Sequence, residues 1–311
     1  MIDSEVNRRK RPIIILGVDR SGTSMVAGLV HRWGAYGGAP DQLRKGDEGN
    51  LHGYWENELF STFMGLLLRD ISVRFWHPDF VDTITAKAAD PYWRNVALNI
   101  FSMMGDQGRI WFWKEPEISV YLPFWKQIWD SATYVITVRN PYDSAVSWHK
   151  FRIPRAAQQK VRTEAANLLR WQAMMMSALE NTQDCNSKIF IPYEDLVNEP
   201  RKQCRRLCNF LSDEYLLERV DDDQLEFVAG AVDAKLWRNR SSIPFTDVSI
   251  ATEAQKALYQ LLLEKVDDPN KPFDAARYPI YPGWREYLEN LQTLESLYDQ
   301  LRQSKDRAGA L

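Results

Sequence analysis

Residues 17–24 read Gly-Val-Asp-Arg-Ser-Gly-Thr-Ser and follow directly on the apolar run Ile13-Ile14-Ile15-Leu16. A strand, a glycine-bounded turn and a helix start together aim several backbone N–H groups and the positive end of a helix dipole at one point, which suits a bound phosphate. A nucleoside-triphosphate enzyme needs Gly-x-x-x-x-Gly-Lys-Ser/Thr at this place, with the lysine on the β- and γ-phosphates and the hydroxyl on magnesium. Here Thr23 occupies the lysine position, and the strong cation of the stretch, Arg20, stands three residues earlier. The loop is built for a phosphate rather than for a nucleoside triphosphate.

Outward from this loop, residues 13–17, 110–113, 133–138 and 189–192 are short apolar runs that read as strands. Residues 27–33, 59–68, 161–180, 200–211 and 252–266 carry helical spacing, the fourth of these behind a Glu199-Pro200 start signal. Continuous apolar strands separated by helices predict an α/β fold: a P-loop-like three-layer sandwich, with a mostly parallel sheet and helices on both faces. Ligands of such sheets bind beyond the carboxyl ends of the strands, where the first loop lies. The pattern predicts a single domain over residues 1–311, with its core at about 12–211 and a helical C-terminal extension at about 212–311. From Trp284 the residues Tyr287, Leu291, Leu294, Tyr298 and Leu301 continue a heptad-like seam, either a terminal helix packed on its own domain or a homodimer contact.

The 311 residues are 45% hydrophobic, ample for a core, and a net charge of −3 gives no general attraction to nucleic acid. The basic cluster Arg8-Arg9-Lys10-Arg11 precedes only four apolar residues between Pro12 and Gly17. That is too few for a signal-peptide core of about 7–15 residues or for a membrane span, so a soluble cytoplasmic protein without a transmembrane segment is expected. Cys185, Cys204 and Cys208 read as reduced thiols, and the histidines His31, His52, His77 and His149 are scattered, so no metal site is expected.

A second informative segment runs Tyr134-Val-Ile-Thr-Val-Arg139-Asn140-Pro141-Tyr142-Asp143-Ser144-Ala145-Val146-Ser147-Trp148-His149. A strand ends at Arg139, Asn-Pro supplies a helix N-cap and first turn, and Ser147 lies about two turns into the helix. Arg139 and Ser147 can hold an anion at the strand end; alternatively Arg139 pairs with Asp143 and Ser147 only packs against a neighbouring helix.

Taken together, Gly-x-x-Arg-Ser-Gly-Thr-Ser and Arg-Asn-Pro-x-Asp-x-x-x-Ser resemble the sulfotransferases that use 3′-phosphoadenosine 5′-phosphosulfate (PAPS), in particular their Arg-Ser-Gly-Thr-Ser branch. Lys114-Glu115-Pro116 is similar to the family's Lys-Asp-Pro element, and Ile191-Pro-Tyr-Glu-Asp-Leu196 to its Tyr-Glu-Asp-Leu strand end. These elements stand in family order over roughly residues 12–211. The resemblance implies that Arg20, Ser21, Gly22, Thr23 and Ser24 cradle the 5′-phosphosulfate, while Arg139 and Ser147 clamp the 3′-phosphate. It also implies adenosine 3′,5′-bisphosphate (PAP) as product, and Tyr193 on the adenine or else held as a buried tyrosine. A donor with two separated phosphates needs two anion sites at one sheet edge and no divalent metal, in keeping with the missing lysine.

Sulfuryl transfer calls for cations on the leaving oxygens and a base for the acceptor hydroxyl. Arg20 and Lys114 are the expected cations; alternatively Lys114 is a surface residue paired with Glu117. Glu56 is the expected base, with Glu48 and His52 as rivals and helix capping as its plain alternative. The chain has no histidine two residues after Lys114 and none of the Arg-Lys-Gly clamp near the C-terminus that the aryl and steroid branch carries. Arg238 and Arg240 are candidates to close over the 3′-phosphate instead. Trp55, Trp76, Trp93, Trp111 and Trp113 fall in or near the expected acceptor half, most of them read as core or rim packing, and the resemblance points to a hydroxyl-bearing small molecule or glycan, such as a carbohydrate or glycolipid. The competing readings are a magnesium-dependent small-molecule kinase of P-loop type and a non-catalytic nucleotide-binding scaffold.

Overall fold

Among the described residues, β1 (Ile13–Leu16), β2 (Phe112–Lys114), β3 (Thr133–Val138) and β4 (Lys188–Pro192) form one sheet in the order β2-β1-β3-β4. All three pairings are parallel, with Ile15 beside Lys114, Leu16 beside Ile136 and Val138 beside Pro192. The computed structural model describes residues 11–280 apart from 48–49, 72, 74–78, 106–108, 130 and 153–163. Glu48, Trp76, His77, the basic residues Arg8 to Lys10, positions 161–163 and the heptad seam from Trp284 lie outside the described residues.

The chain enters β1 in the middle of the sheet, goes out to β2, and returns across β1 to β3 and β4. The connections after β1 and β3 therefore leave in opposite directions, and the crevice between their carboxyl ends is the topological switch point of the sheet. Both the glycine loop and Arg139 sit there.

Helices α1 (Thr23–Trp33), α2 (Glu58–Ile71), α3 (Phe80–Lys87) and α4 (Pro91–Gly105) fill the first crossover, and α5 (Ile118–Trp125) follows β2. After β3 come α6 (Pro141–Arg152) and α7 (Glu164–Thr182), and after β4 come α8 (Tyr193–Asn198), α9 (Pro200–Tyr215), α10 (Asp222–Ala229) and α11 (Glu253–Asp267). The strand residues alternate between two cores. Ile14, Leu16, Trp113, Ile136 and Phe190 face the layer built by α2, α5 and α7, whereas Ile13, Ile15, Phe112, Val135 and Ile189 face α1, α9 and α10. This is the three-layer α/β sandwich that the unbroken apolar strands predict.

Aromatic rings dominate the first core. Phe60 stacks on Trp113 at 4.0 Å, and Trp113 meets Trp125 edge-on at 4.6 Å. Trp111 and Trp113 are 0% and 1% exposed, so they pack the core and present nothing to an acceptor. Each such ring contributes about 1.5–3 kcal/mol through the water it sheds.

The more polar region after α9 is built onto the same cores. Leu225 and Val228 of α10 join the second, while Leu258 and Leu262 of α11 and the following Tyr278 join the first. A Thr252/Gln255 capping box starts α11, and Gln172 in α7 donates to the carbonyl of Tyr278 at 3.1 Å. Several helices differ from the sequence reading. α1 begins at Thr23, inside the glycine loop, while α3, α4 and α5 were masked by short length, aromatic crowding and the internal Pro123. Strand β2 includes Lys114 itself.

Candidate active site

The glycine loop is held from within. Ser21 donates from its hydroxyl to the carbonyl of Val18 at 2.6 Å, shares a 2.7 Å hydrogen bond with Thr137 Oγ1, and donates its N–H to Val18 at 3.1 Å. Gly17 has φ +146°, and a Cβ there would lie 2.0 Å from Thr137 Oγ1, so only glycine lets β3 approach the loop this closely. Arg20 adopts the left-handed region at φ 66°, a conformation uncommon outside glycine. Gly22 caps α1, and the first bond of the helix runs from Val26 N–H to the carbonyl of Gly22. The N–H groups of Thr23, Ser24 and Met25 thus lack intrahelical acceptors and face outward at the positive helix end. The Ser24 hydroxyl donates to the carbonyl of Tyr54 at 3.3 Å.

Arg139, immediately after β3, bridges this loop to a distant segment. Its Nη1 donates to the carbonyl of Arg20 at 2.5 Å and its Nη2 to the carbonyl of Asn239 at 2.8 Å, while Nε is buried without a hydrogen-bond partner among the described residues. The guanidinium lies 4.5 Å from the ring centre of Tyr193, the residue immediately after β4. The Ser147 hydroxyl accepts from Arg20 Nε at 3.2 Å, so it belongs to the site rather than to a helix contact alone. Asp143 forms no ion pair with Arg139; its carboxylate accepts the Ser241 N–H at 2.8 Å, and burial raises its pKa.

Arg20, Gly22, Thr23, Arg139, Tyr193 and Arg238 line one open cleft, with the Ser147 hydroxyl bonded to Arg20 outside its walls. Burial depresses the pKa of Arg20, and the Arg139 and Arg238 charges add to that pull while Tyr54 opposes it. Three guanidiniums around one opening disfavour one another until an anion sits among them. The Tyr193 ring packs over Gly22, where an added Cβ would come within 2.3 Å of Cδ2, and Trp237 meets the same ring edge-on at 6.1 Å. Arg240 rests over the Trp237 ring at 4.4 Å instead of entering the cleft.

At the neighbouring strand end, Lys114 Nζ donates to Glu56 Oε1 at 2.7 Å, and Arg44 Nη1 donates to Glu56 Oε2 at 2.9 Å. Trp55 holds φ 59°, a strained backbone setting directly before Glu56. Asn57, not Glu56, serves the start of α2, accepting the Leu59 N–H at 3.0 Å. Glu117 bonds Arg170 rather than Lys114. Of the rival bases, His52 pairs with Asp233 at 3.2 Å on the surface. Glu115 accepts the Ser61 hydroxyl at 2.8 Å, and burial, with the Glu56 charge behind it, pushes its carboxyl pKa up to about 8.

Each strand therefore delivers one site element at its carboxyl end: the glycine loop after β1, Lys114 on β2, Arg139 after β3 and Tyr193 after β4. Sequence reasoning missed Arg44, Asn239 and Arg170. The last donates to Asp19 from Nη1 and to Glu117 Oε1 from Nη2 at 2.6 Å. Its signal is a charged residue inside the apolar run Leu168-Leu169-Arg170-Trp171. Nothing in the local sequence marks Asn239, which acts through its backbone.

No curated protein matches the chain in sequence. Among solved structures, the sulfotransferase domain from the curacin biosynthetic pathway is similar at 13% identity, with a TM-score of 0.47, over 83% of this chain and 97% of that one. Sulfotransferase STF9 from Mycobacterium avium is similar at 13% identity and TM-score 0.46, over 83% of this chain and 77% of that one. A mouse sulfotransferase complexed with PAP is similar at 15% identity and TM-score 0.40, over 90% and 89% of the two chains. The model of the sulfotransferase family matches residues 12–215, which take in all four strands and the site elements at their carboxyl ends though not the segment around Arg238 and Asn239, and the chain belongs to the sulfotransferase family.

Proposed function

We propose that the chain transfers a sulfuryl group from PAPS to an acceptor hydroxyl and releases PAP. The observation that carries this reading is the convergence of two anion-holding elements on one cleft, with Arg139 bonded to the backbone of Arg20 and Arg20 to the hydroxyl of Ser147. The outward N–H groups of Thr23 and Ser24, with Arg20 and Gly22, take the 5′-phosphosulfate. Ser21 keeps the loop in shape from beneath. Arg139, Ser147 and Arg238 take the 3′-phosphate, and Tyr193 closes that end of the cleft.

In the reaction the acceptor oxygen bonds to sulfur as the bond from sulfur to the 5′-phosphate oxygen breaks. Arg20 and Lys114 offset charge on the departing oxygen, and Glu56 takes the hydroxyl proton. Lys114 Nζ must leave Glu56 Oε1 to reach the donor, which frees that oxygen as a base while Arg44 keeps hold of the other. The acceptor we assign is a carbohydrate or glycolipid hydroxyl. Three cysteines without disulfides, two of them buried with pKa values raised by burial, fit work in the reducing cytoplasm.

A thermal-shift comparison tests the donor. PAP without magnesium should stabilise the protein, and ATP with magnesium should not. Stabilisation by ATP and magnesium alone would overturn the reading in favour of a kinase.

A further inference from the structure

The anion-binding loop contains a carboxylate. Asp19 lies between Gly17 and Arg20, yet it is absent from the walls of the cleft that Arg20 lines. Its side chain turns the other way, where Oδ2 accepts from Trp148 Nε1 at 3.0 Å and from Arg170 Nη1. The second arm of the Arg170 fork reaches Glu117 Oε1 at 2.6 Å, just past the strand that carries Lys114. The Arg170 side chain is only 11% exposed and that of Asp19 18%. One guanidinium on α7 thus ties the loop after β1 to the turn after β2, the two segments that flank the site.

A negative charge in a loop that takes a polyanion opposes binding unless it is cancelled or turned away. We propose that Arg170 is a positioning residue for donor binding: by fixing and neutralising the Asp19 carboxylate outside the cleft, it lets the glycine loop accept an anion. Burial alone would raise the Asp19 pKa, but the Arg170 charge and hydrogen bond and the Trp148 hydrogen bond hold it below the ordinary value, so the carboxylate is charged and needs its partner. Without Arg170, Asp19 keeps the Trp148 hydrogen bond and the charge of Lys114 but loses its ion pair, and Glu117 loses the same partner. This inference rests on the reading of the loop as the donor site.

Binding of PAP by isothermal titration, beside a thermal melt of each variant, tests it. Wild type should bind PAP; failure there sinks the donor assignment itself, separately from Arg170. Given binding, Arg170→Met should weaken PAP affinity by about tenfold or more, because a buried charge loses its partner. Asp19→Asn in the same background should restore affinity to within about threefold of wild type, since the unpaired charge is gone. Lowering the pH from about 8 to about 5.5 should narrow the gap between Arg170→Met and wild type as Asp19 protonates. A merely structural Arg170 would lower the melting temperature and leave both rescues without effect. If Arg170→Met does not fold, Arg170→Lys, which reaches one carboxylate at a time, should weaken PAP binding about threefold. Wild-type PAP affinity in every folded Arg170 variant would overturn the proposal.

Discussion

Lys114 Nζ lies 2.7 Å from Glu56 Oε1, and each of these side chains is only 3% exposed. A buried ion pair gains little net stability, because desolvating both charges offsets most of their attraction. Its place at the end of β2 fits the roles proposed for both residues, a cation for the donor and a base for the acceptor. Glu56→Gln keeps the shape and a partner for Lys114 while removing the base, and should lower kcat by about 10²–10⁴ with PAP affinity little changed. A kcat within tenfold of wild type, measured by PAP release, would remove Glu56 from the chemistry. Alanine is a poorer probe, since it strands Lys114 at a cost of about 3–5 kcal/mol in stability.

Arg139 is a bridge as well as a charge, and only a planar fork can span the carbonyls of Arg20 and Asn239 at once. Arg139→Lys retains the charge and loses the span. Each charge-assisted bond contributes about 1.5–3 kcal/mol, so PAP affinity should fall about 10–100-fold. Limited proteolysis should also show the segment around Asn239 cut faster in the variant. Wild-type affinity in Arg139→Lys would mean that the charge alone suffices.

Gly22 carries two demands at once, φ +97° and contact with the Tyr193 ring. Gly22→Ala must strain the backbone by about 1–3 kcal/mol and also push the ring aside. PAP binding should be lost below the melting temperature of the variant. Adding Tyr193→Ala should recover part of the melting temperature, because it removes the clash and leaves the strain. A single variant as stable as wild type would show that neither the backbone setting nor the ring opposes a Cβ at this position.

The local parts of this site were legible in the sequence because each is a strand end followed by its own turn. Gly17 to Ser24, Arg139 to Ser147 and Tyr193 all follow apolar runs, and parallel strands bring such ends to one edge. The Lys114–Glu56 contact was legible only as two separate candidates. Its geometry depends on the irregular excursion after α1, which returns Glu56 to the sheet through the left-handed Trp55. Arg170 reaches Asp19 from a helix 151 positions away, and Asn239 meets Arg139 by its backbone, so neither contact leaves a pattern in neighbouring residues. The reading of most tryptophans as packing holds for Trp111 and Trp113, which have the apolar neighbours of core strands and stack there.

Glu115 makes the site sensitive to pH. Its carboxyl pKa rises from the ordinary 4.5 to about 8 in the folded chain, through burial first and the charge of Glu56 second. Between these two values the folded state keeps a proton that the unfolded state has lost, so this group makes stability fall as pH rises from 4.5 to about 8. Glu115→Gln mimics the protonated form and keeps an oxygen for the Ser61 hydroxyl. Urea unfolding should show a flatter stability profile across that window for the variant, which should exceed wild type by about 1 kcal/mol or more above the upper value. Below the lower value the two proteins should agree. Function should follow the same sign, because an ionised Glu115 places a second negative charge beside Lys114 and holds it back from the donor. The fall in wild-type kcat on the alkaline side should therefore move to higher pH in Glu115→Gln, and an unmoved alkaline limb would separate Glu115 from catalysis.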